Sequence, residues 1–157
     1  MDTLIGALIA VIGTLLAVWF TARVNKSTET KAVLLNKIDD WLNEEIQYIF
    51  YMIFTFGKIV EVDWKEMLKE LCKLNTGRVV GIAKALKNEE LNSQMGELKN
   101  KMSSYVKLNL DILDASEDDK VNITKEQFTL LYNNVKDIEN VGIEIHRIIA
   151  EELMRVF

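Results

Sequence analysis

The first part of the chain contains an uncharged run that is long enough to cross a lipid bilayer. No Asp, Glu, Lys or Arg occurs from Thr3 to Ala22. A helix rises about 1.5 Å per residue, so a run of this length spans about 30 Å, the thickness of the hydrocarbon core of a bilayer. The sequence therefore predicts a transmembrane helix over Leu4–Ala22.

A cleaved secretory signal is the alternative explanation of this run, and it fits poorly. The start of the chain is acidic where a signal peptide is basic, and the apolar run is longer than the usual signal core. Basic residues occur after the run at Arg23, Lys26, Lys31 and Lys37, and none precedes it. Since Lys and Arg accumulate on the cytoplasmic side, we expect a single-pass protein of the inner cell membrane. We expect its N-terminus to lie outside and its C-terminal domain to be cytoplasmic.

Small residues form a stripe along the predicted membrane helix. Spacings of four, three and four residues place four of them on one face: Gly6, Ala10, Gly13 and Ala17. Helices in lipid associate through close backbone approach at small residues, so we predict that this stripe packs in a homo-oligomer. The alternative is the ordinary frequency of Gly and Ala in membrane helices. Thr14 and Thr21 lie beside the stripe and are candidates to line a pore, because polar side chains avoid the lipid-facing side.

Composition limits the rest of the chain to one compact helical unit. The chain has 157 residues, which leaves room for one domain at 27–157 after a membrane helix and juxtamembrane anchor at 1–26. The absence of proline favours long uninterrupted helices. A single cysteine, Cys72, excludes an internal disulfide framework. The net charge of −5 provides no basic footprint, so no direct DNA binding is expected.

Apolar residues spaced by three and four predict an all-α cytosolic bundle. The first bundle helix covers about Glu29–Val60, with an apolar face at Leu35, Ile38, Leu42, Ile46, Ile49, Ile53, Phe56 and Val60. It either starts anew near Ser27 or continues the membrane helix without a break. Its second half, Ile46–Val60, is apolar nearly all round. This half is either a core or subunit interface, or a second membrane-inserted segment.

Two shorter helices are expected next. Asp63 and Glu66 form a capping box in front of an apolar segment. We expect this helix to end at Gly77, with the glycine in a left-handed cap. A short helix is predicted after it, over about Arg78–Lys87.

Two long helices complete the predicted bundle. The first covers Glu89–Asp114, with a buried face at Leu91, Met95, Leu98, Met102, Tyr105, Asn109 and Ile112. Asn109 is either a hydrogen-bonded core amide that fixes register or part of a polar ring in an oligomer. Thr124 and Gln127 form a second capping box, and the helix behind it runs to the C-terminus.

The catalytic inventory of the sequence is small. One histidine and one cysteine exclude most catalytic triads and most metal sites built on several such residues. The acidic residues near Asp118 lack the order of an EF-hand and are expected to form a solvated loop. We therefore expect no metal and no cofactor.

Asn140 and His146 fit the loosest form of the HEPN signature, in which Arg or Asn precedes His by a short spacer. In that superfamily of helical ribonucleases the two residues act on RNA at a dimer interface. Asn140 replaces the usual arginine, so the cation that would stabilise a transition state is missing. The pair also lies about 120° apart around the helix axis. The alternative role for His146 is a structural one at an interface.

The arrangement as a whole resembles the small membrane accessory proteins of type VI-B CRISPR systems. The shared features are an N-out membrane helix, an all-helical cytosolic bundle and a degenerate HEPN-like pair near the C-terminus. The resemblance implies an oligomeric pore that perturbs the cell envelope in antiphage defence, with Asn140 and His146 structural. It also implies three kinds of partner, which are the lipid bilayer, further copies of the chain, and a CRISPR effector or RNA-triggered signal.

Three functions are hypotheses at this point. The leading one is a non-enzymatic membrane pore or membrane-depolarising effector built from several copies of the chain. The second is a membrane-tethered HEPN ribonuclease that acts through His146. The third is a membrane-anchored helical adaptor that docks another protein.

Overall fold

The computed structural model describes the backbone of residues 2–56, 63–116 and 121–156, and the side chains of residues 14–49, 52, 63–116 and 121–155. These ranges contain five helices and no strand, which confirms the all-α prediction. The helices are α1 (Asp2–Phe56), α2 (Trp64–Leu71), α3 (Gly77–Ala85), α4 (Glu89–Asp114) and α5 (Lys125–Val156).

Helix α1 is one continuous helix of 55 residues, about 80 Å long. No glycine or proline occurs between Thr14 and Phe56, so nothing in this stretch interrupts the backbone hydrogen bonds. The predicted membrane helix therefore continues into the first bundle helix without a break. Since α1 runs straight through residues 26 and 27, the division of the chain into two domains there stays a prediction.

The predicted span over Leu4–Ala22 lies only partly within the described side chains, which begin at Thr14. Among the described residues, no helix combines the length and the apolar character that crossing a membrane requires.

The predicted capping box before α5 is present in full, and the one before α2 is present as the N-cap bond alone. At the start of α2, the Asp63 carboxylate accepts the Glu66 N–H at 3.2 Å. Before α5, the Thr124 hydroxyl accepts the Gln127 N–H at 3.2 Å, and the Gln127 side chain accepts the Thr124 N–H at 2.9 Å. The two bonds before α5 are reciprocal, and each cap bond satisfies an N–H group that has no partner inside the helix.

The predicted left-handed cap at Gly77 is wrong. Helix α2 ends at Leu71, and Gly77 is the first residue of α3. Its N–H donates to the Asn75 side chain at 2.7 Å, which favours the start of a helix there. Within the described ranges no glycine has a positive φ, and the left-handed residue is Lys87, with φ 54°, between α3 and α4.

Helix α5 lies between the other two long helices and runs antiparallel to both. Residue numbers rise along α1 as they fall along α5 in three contacting pairs, namely Lys31–Glu152, Asp39–His146 and Ile46–Gly142. The same relation holds between α4 and α5 in the pairs Glu90–Arg147 and Lys101–Asp137. Helices α2 and α3 pack on α4, and α3 also contacts α1.

The predicted apolar faces form the core. All seven residues of the predicted α4 face are buried, and α4 has the predicted bounds. On α1, the residues with at most 1% exposure are Leu35, Ile38, Leu42 and Ile49. Of the Ile46–Val60 segment, Ile46 and Met52 pack against the core and Tyr48 is exposed. The other side chains of its apolar face, at Ile53, Phe56 and Val60, lie outside the described residues.

Candidate functional site

The part of α1 that precedes the bundle exposes its apolar side chains. Every described side chain from Thr14 to Ser27 is exposed. We call residues 15–22 the apolar segment. Its large apolar side chains are between 54% and 66% exposed: Leu15, Leu16, Val18, Trp19 and Phe20. Single exposed apolar residues are ordinary, but a contiguous apolar surface marks contact with lipid or with another protein.

The apolar segment changes to a basic one within a single helical turn. The rings of Trp19 and Phe20 meet edge to face, with centroids 6.1 Å apart. The Arg23 guanidinium lies over the Trp19 ring, 5.2 Å from its centroid, in the geometry of a cation–π contact. Aromatic rings next to basic residues are typical of the boundary between lipid and water.

The residues predicted to pack or line a pore lie on this same part of α1. Gly6, Ala10 and Gly13 fall within its helical backbone but outside the described side chains, and Ala17 is exposed. Thr14 and Thr21, the pore-lining candidates, are both exposed. The Thr21 hydroxyl donates to the Ala17 carbonyl oxygen at 2.8 Å. Self-association through the stripe stays a prediction.

The structure pairs His146 with Asp39 of α1. The distance between His146 Nδ1 and Asp39 Oδ1 is 2.5 Å, and each side chain is about one third exposed. The Asn43 amide donates to the other Asp39 oxygen at 3.4 Å. Asn140 is exposed on α5. The two residues of the HEPN-like signature therefore have different surroundings, as their angular separation predicts.

Sequence reasoning missed Asp39 because it lies 107 residues from His146 in the chain. A carboxylate that binds Nδ1 orients the imidazole and leaves Nε2 for proton transfer, which is a recurring element of general base catalysis. Within the described ranges, no group of three or more His, Cys, Asp or Glu residues is arranged to hold a metal ion. The local chemistry is thus that of a two-residue His–Asp pair.

A second polar link joins α1 and α5 where α1 leaves the bundle. The Glu152 carboxylate is 6% exposed and forms ion pairs with Lys31 and with Arg155, the latter at 2.8 Å. The hydrogen bond from Lys31 holds the pKa of Glu152 below its ordinary value, and Arg155 adds to the effect. Because breaking a buried pair leaves a charge without compensation, this link fixes the exit of α1 from the bundle.

Asn109 is fully buried inside a single chain. Neither its amide nor the Tyr105 hydroxyl has a hydrogen bond partner among the described residues. Burial raises the pKa of Tyr105, and the Asn109 amide, one turn away, opposes this shift without the geometry of a full hydrogen bond. The position agrees with the predicted core residue, but the hydrogen bond expected of its amide is not found among the described residues. A polar ring between copies would need Asn109 at the surface.

The chain matches no protein family model, no curated protein and no solved structure. The functional interpretation therefore depends on the sequence pattern and on the geometry described above.

Proposed function

We propose that the protein is a membrane-anchored helical protein whose copies assemble through α1 into a pore that depolarises the cell membrane. The observation that carries the proposal is the apolar segment, which stands outside the bundle with its large side chains exposed. An antiphage role is the biological setting that the resemblance to type VI-B accessory proteins implies.

The apolar segment is costly in water. Fully burying one large apolar side chain contributes about 1.5–3 kcal/mol, so leaving several of them about half exposed forgoes on the order of 5 kcal/mol. The segment also belongs to an uncharged run from Thr3 to Ala22 that continues towards the N-terminus. Insertion of this run into a bilayer removes the cost, since all backbone groups of a helix bond within the helix.

Assembly is the second element of the proposal. Neighbouring helices in lipid approach closely only where side chains are small, and the stripe of Gly6, Ala10, Gly13 and Ala17 offers such a face. Polar hydroxyls beside that face, at Thr14 and Thr21, would meet the water of a central channel. The bundle below remains outside the membrane and carries the partner-facing surfaces.

The first experiment measures the mass of the detergent-solubilised full chain by mass photometry. We expect a discrete assembly of six or more copies of the 18.0 kDa chain, on the order of 100 kDa of protein. A variant with Leu at the four stripe positions should fall to the monomer. The matched control places Phe at Leu4, Leu8, Val11 and Leu15, which lie on the opposite face at 100° per residue, and it should keep the assembly.

A monomeric or dimeric wild type would contradict the assembly. Conductance in planar bilayers then tests the pore itself. We expect discrete current steps from the wild type and none from the stripe variant. A large assembly without conductance would contradict the pore, and a monomer without conductance would favour the adaptor hypothesis.

The ribonuclease is the second candidate function, because Asp39 orients a partly exposed His146. It predicts that the purified chain cleaves single-stranded RNA, and that His146→Ala and Asp39→Asn abolish cleavage. A HEPN mechanism adds the same loss for Asn140→Ala. We expect no cleavage by the wild type, because Asn140 is exposed on a different face and supplies no cation. Cleavage that depends on His146 would establish the enzyme.

A further inference from the structure

A groove of about 420 Å³ between α1 and the end of α3 begins directly after the uncharged run. Its polar lining comes from α1: Arg23, Lys26, Ser27, Thr30 and Lys31. We propose that this groove binds the phosphate headgroup of an anionic phospholipid. The proposal rests on the proposed function, since a lipid reaches the groove only if the apolar segment lies in the membrane.

The charges in the groove suit a single phosphate. Lys31 is compensated by the buried Glu152. Within the described part of the chain, Lys26 makes no ion pair, and Arg23 contacts the Trp19 ring and not a carboxylate. Two cations therefore remain for an anion. A guanidinium binds phosphate through two parallel hydrogen bonds, and an ammonium adds a point charge.

Hydroxyl groups complete the polar lining. The Thr30 hydroxyl donates to the Lys26 carbonyl oxygen at 2.8 Å, which fixes its orientation. Ser27 is exposed beside it, one turn after Arg23. A serine hydroxyl both donates and accepts, so it can bond a phosphate oxygen or the glycerol of a headgroup.

The apolar residues around the groove distinguish a lipid from a soluble phosphate. Leu34, Ala85 and Leu86 close its inner side. On the N-terminal side of the groove, three large apolar side chains lie on the same face of α1 when residues are placed at 100° each. They are Leu16, Trp19 and Phe20. A phospholipid with its headgroup in the groove lays its acyl chains along these exposed side chains, whereas a free phosphate leaves them uncovered.

The position of the groove along the axis of α1 agrees with a headgroup site. Arg23 and Ser27 are one turn apart, about 6 Å along the axis. The headgroup layer on each side of the hydrocarbon core is about 5–7 Å thick. If the core ends at Ala22, this turn lies within the headgroup layer. The groove also lies about 100° around α1 from the small-residue stripe, so lipid binding and helix packing use separate faces.

The test uses the full chain in vesicles and reads the fluorescence of Trp19. Trp41→Phe and Trp64→Phe remove the other two tryptophans, which lie in the bundle. All vesicles hold phosphatidylcholine with one fifth phosphatidylglycerol, and bromine quenchers sit on the acyl chains of either lipid at equal amounts. Each variant is normalised to its own vesicles without bromine, because Arg23 contacts the Trp19 ring.

We expect brominated phosphatidylglycerol to quench Trp19 severalfold more than brominated phosphatidylcholine, since each basic residue near an anionic surface contributes about fivefold in affinity. The double variant Arg23→Gln with Lys26→Gln should lower this ratio to about one. The control double variant Lys107→Gln with Lys136→Gln removes the same charge from exposed positions of α4 and α5 and should keep it. Loss of the ratio in both double variants would overturn the site in favour of a general charge effect.

The remaining outcomes separate the lipid site from the proposed function. Equal quenching by both lipids in the wild type overturns the headgroup site and leaves the membrane anchor intact. Absence of quenching by either lipid overturns the anchor as well. Millimolar glycerol 3-phosphate should leave the ratio unchanged, and loss of the ratio on its addition would assign the groove to a soluble phosphate.

Discussion

The two halves of α1 have opposite environments although they belong to one unbroken helix. Every described side chain from Thr14 to Ser27 is exposed, and burial begins at Ala32. In the first half, residues 15–22 are uncharged and apolar on nearly every side. The second half is apolar on one face and carries Asp39, Asp40 and Glu44 on the others. A helix with one apolar face packs against a bundle, and one that is apolar all round needs a lipid or protein environment on every side.

The change of environment coincides with a change of partner. Up to Ser27, the described contacts of α1 are local, and the helix borders the groove against α3. From Lys31 onward it is joined to α5, first by the ion pair with Glu152 and then by the Asp39–His146 pair. The comparison teaches that apolar content alone does not make a core residue, because burial also requires a facing helix.

The largest expected effect comes from equivalent leucines in the two halves. Leu42→Ala, at a position with 0% exposure, should lower the free energy of unfolding by about 2–5 kcal/mol. Leu16→Ala, at a position with 59% exposure, should change it by less than about 0.5 kcal/mol. Thermal unfolding of the full chain in detergent, followed by circular dichroism, measures both. Equal losses would show that Leu16 packs in the bundle and would remove the contrast.

The next effect concerns the ion pair where the buried half begins. Lys31→Met leaves the buried Glu152 with Arg155 alone and should destabilise the bundle by about 1–3 kcal/mol, less than for a fully buried pair because Lys31 is about one third exposed and Arg155 remains. Lys26→Met is the matched control in the exposed half and should be neutral within about 0.5 kcal/mol. Chemical unfolding at neutral pH compares the two. A neutral Lys31→Met would mean that the pair does not fix α1 on the bundle.

The same pair predicts a pH dependence of stability. The pKa of Glu152 lies below its ordinary value of 4.5 because of the hydrogen bond from Lys31. The unfolded chain therefore takes up this proton more readily than the folded one. The stabilisation is present above pH 4.5 and is lost as the pH falls below this value and through the lower pKa of the folded state. Glu152→Gln should flatten the acid side of the stability curve, and an unchanged curve would contradict the assignment.

A smaller effect tests how closely the buried half approaches α5. A Cβ added at Gly142 would collide with the Ile46 side chain, whereas one added at Gly96 meets nothing within 4 Å. Gly96→Ala should stabilise the chain by about 0.5–1 kcal/mol through helix propensity. Gly142→Ala has the same gain but forces Ile46 to move, so its melting temperature should lie below that of Gly96→Ala. Equal melting temperatures would show that Ile46 adapts freely.

The smallest expected effect comes from Glu45, whose pKa is shifted in the opposite direction to that of Glu152. Burial, and after it the charge of Glu44, raises the pKa of Glu45 from its ordinary value of 4.5. The folded chain therefore binds this proton more tightly than the unfolded chain does, so the ionised carboxylate opposes folding at neutral pH. Glu45→Gln should stabilise the bundle at neutral pH by at most about 0.5 kcal/mol, because solvent screens a partly exposed carboxylate. Destabilisation would contradict the direction of this shift.

The local features of the fold could be predicted from the sequence because each is encoded within a few residues. The bounds and buried face of α4 are explained by its regular apolar spacing, and the caps at Asp63 and Thr124 by short motifs. The predicted junction at Gly77 was wrong, because a glycine between two helices can start the second as well as end the first. The side chain of Asn75 decides between them.

The candidate site was less predictable because its contacts join distant parts of the chain. Asp39 meets His146 across 107 residues, and Lys31 meets Glu152 across 121. Each partner lies next to an apolar seam residue, and no local pattern singles it out. The groove is a similar case, since the sequence shows the basic residues after the uncharged run but not that the end of α3 closes over them.

The most direct test of the central claim is a spin-label scan along α1 in vesicles, after Cys72→Ala removes the only cysteine. Labels are placed one at a time by Leu15→Cys, Leu16→Cys and Phe20→Cys, and in the bundle half by Val33→Cys, at an exposed position. We predict that oxygen dissolved in lipid reaches the first three labels and that a water-soluble nickel complex reaches only the label at Val33. Access of the nickel complex to all four labels would contradict a membrane location for the apolar segment.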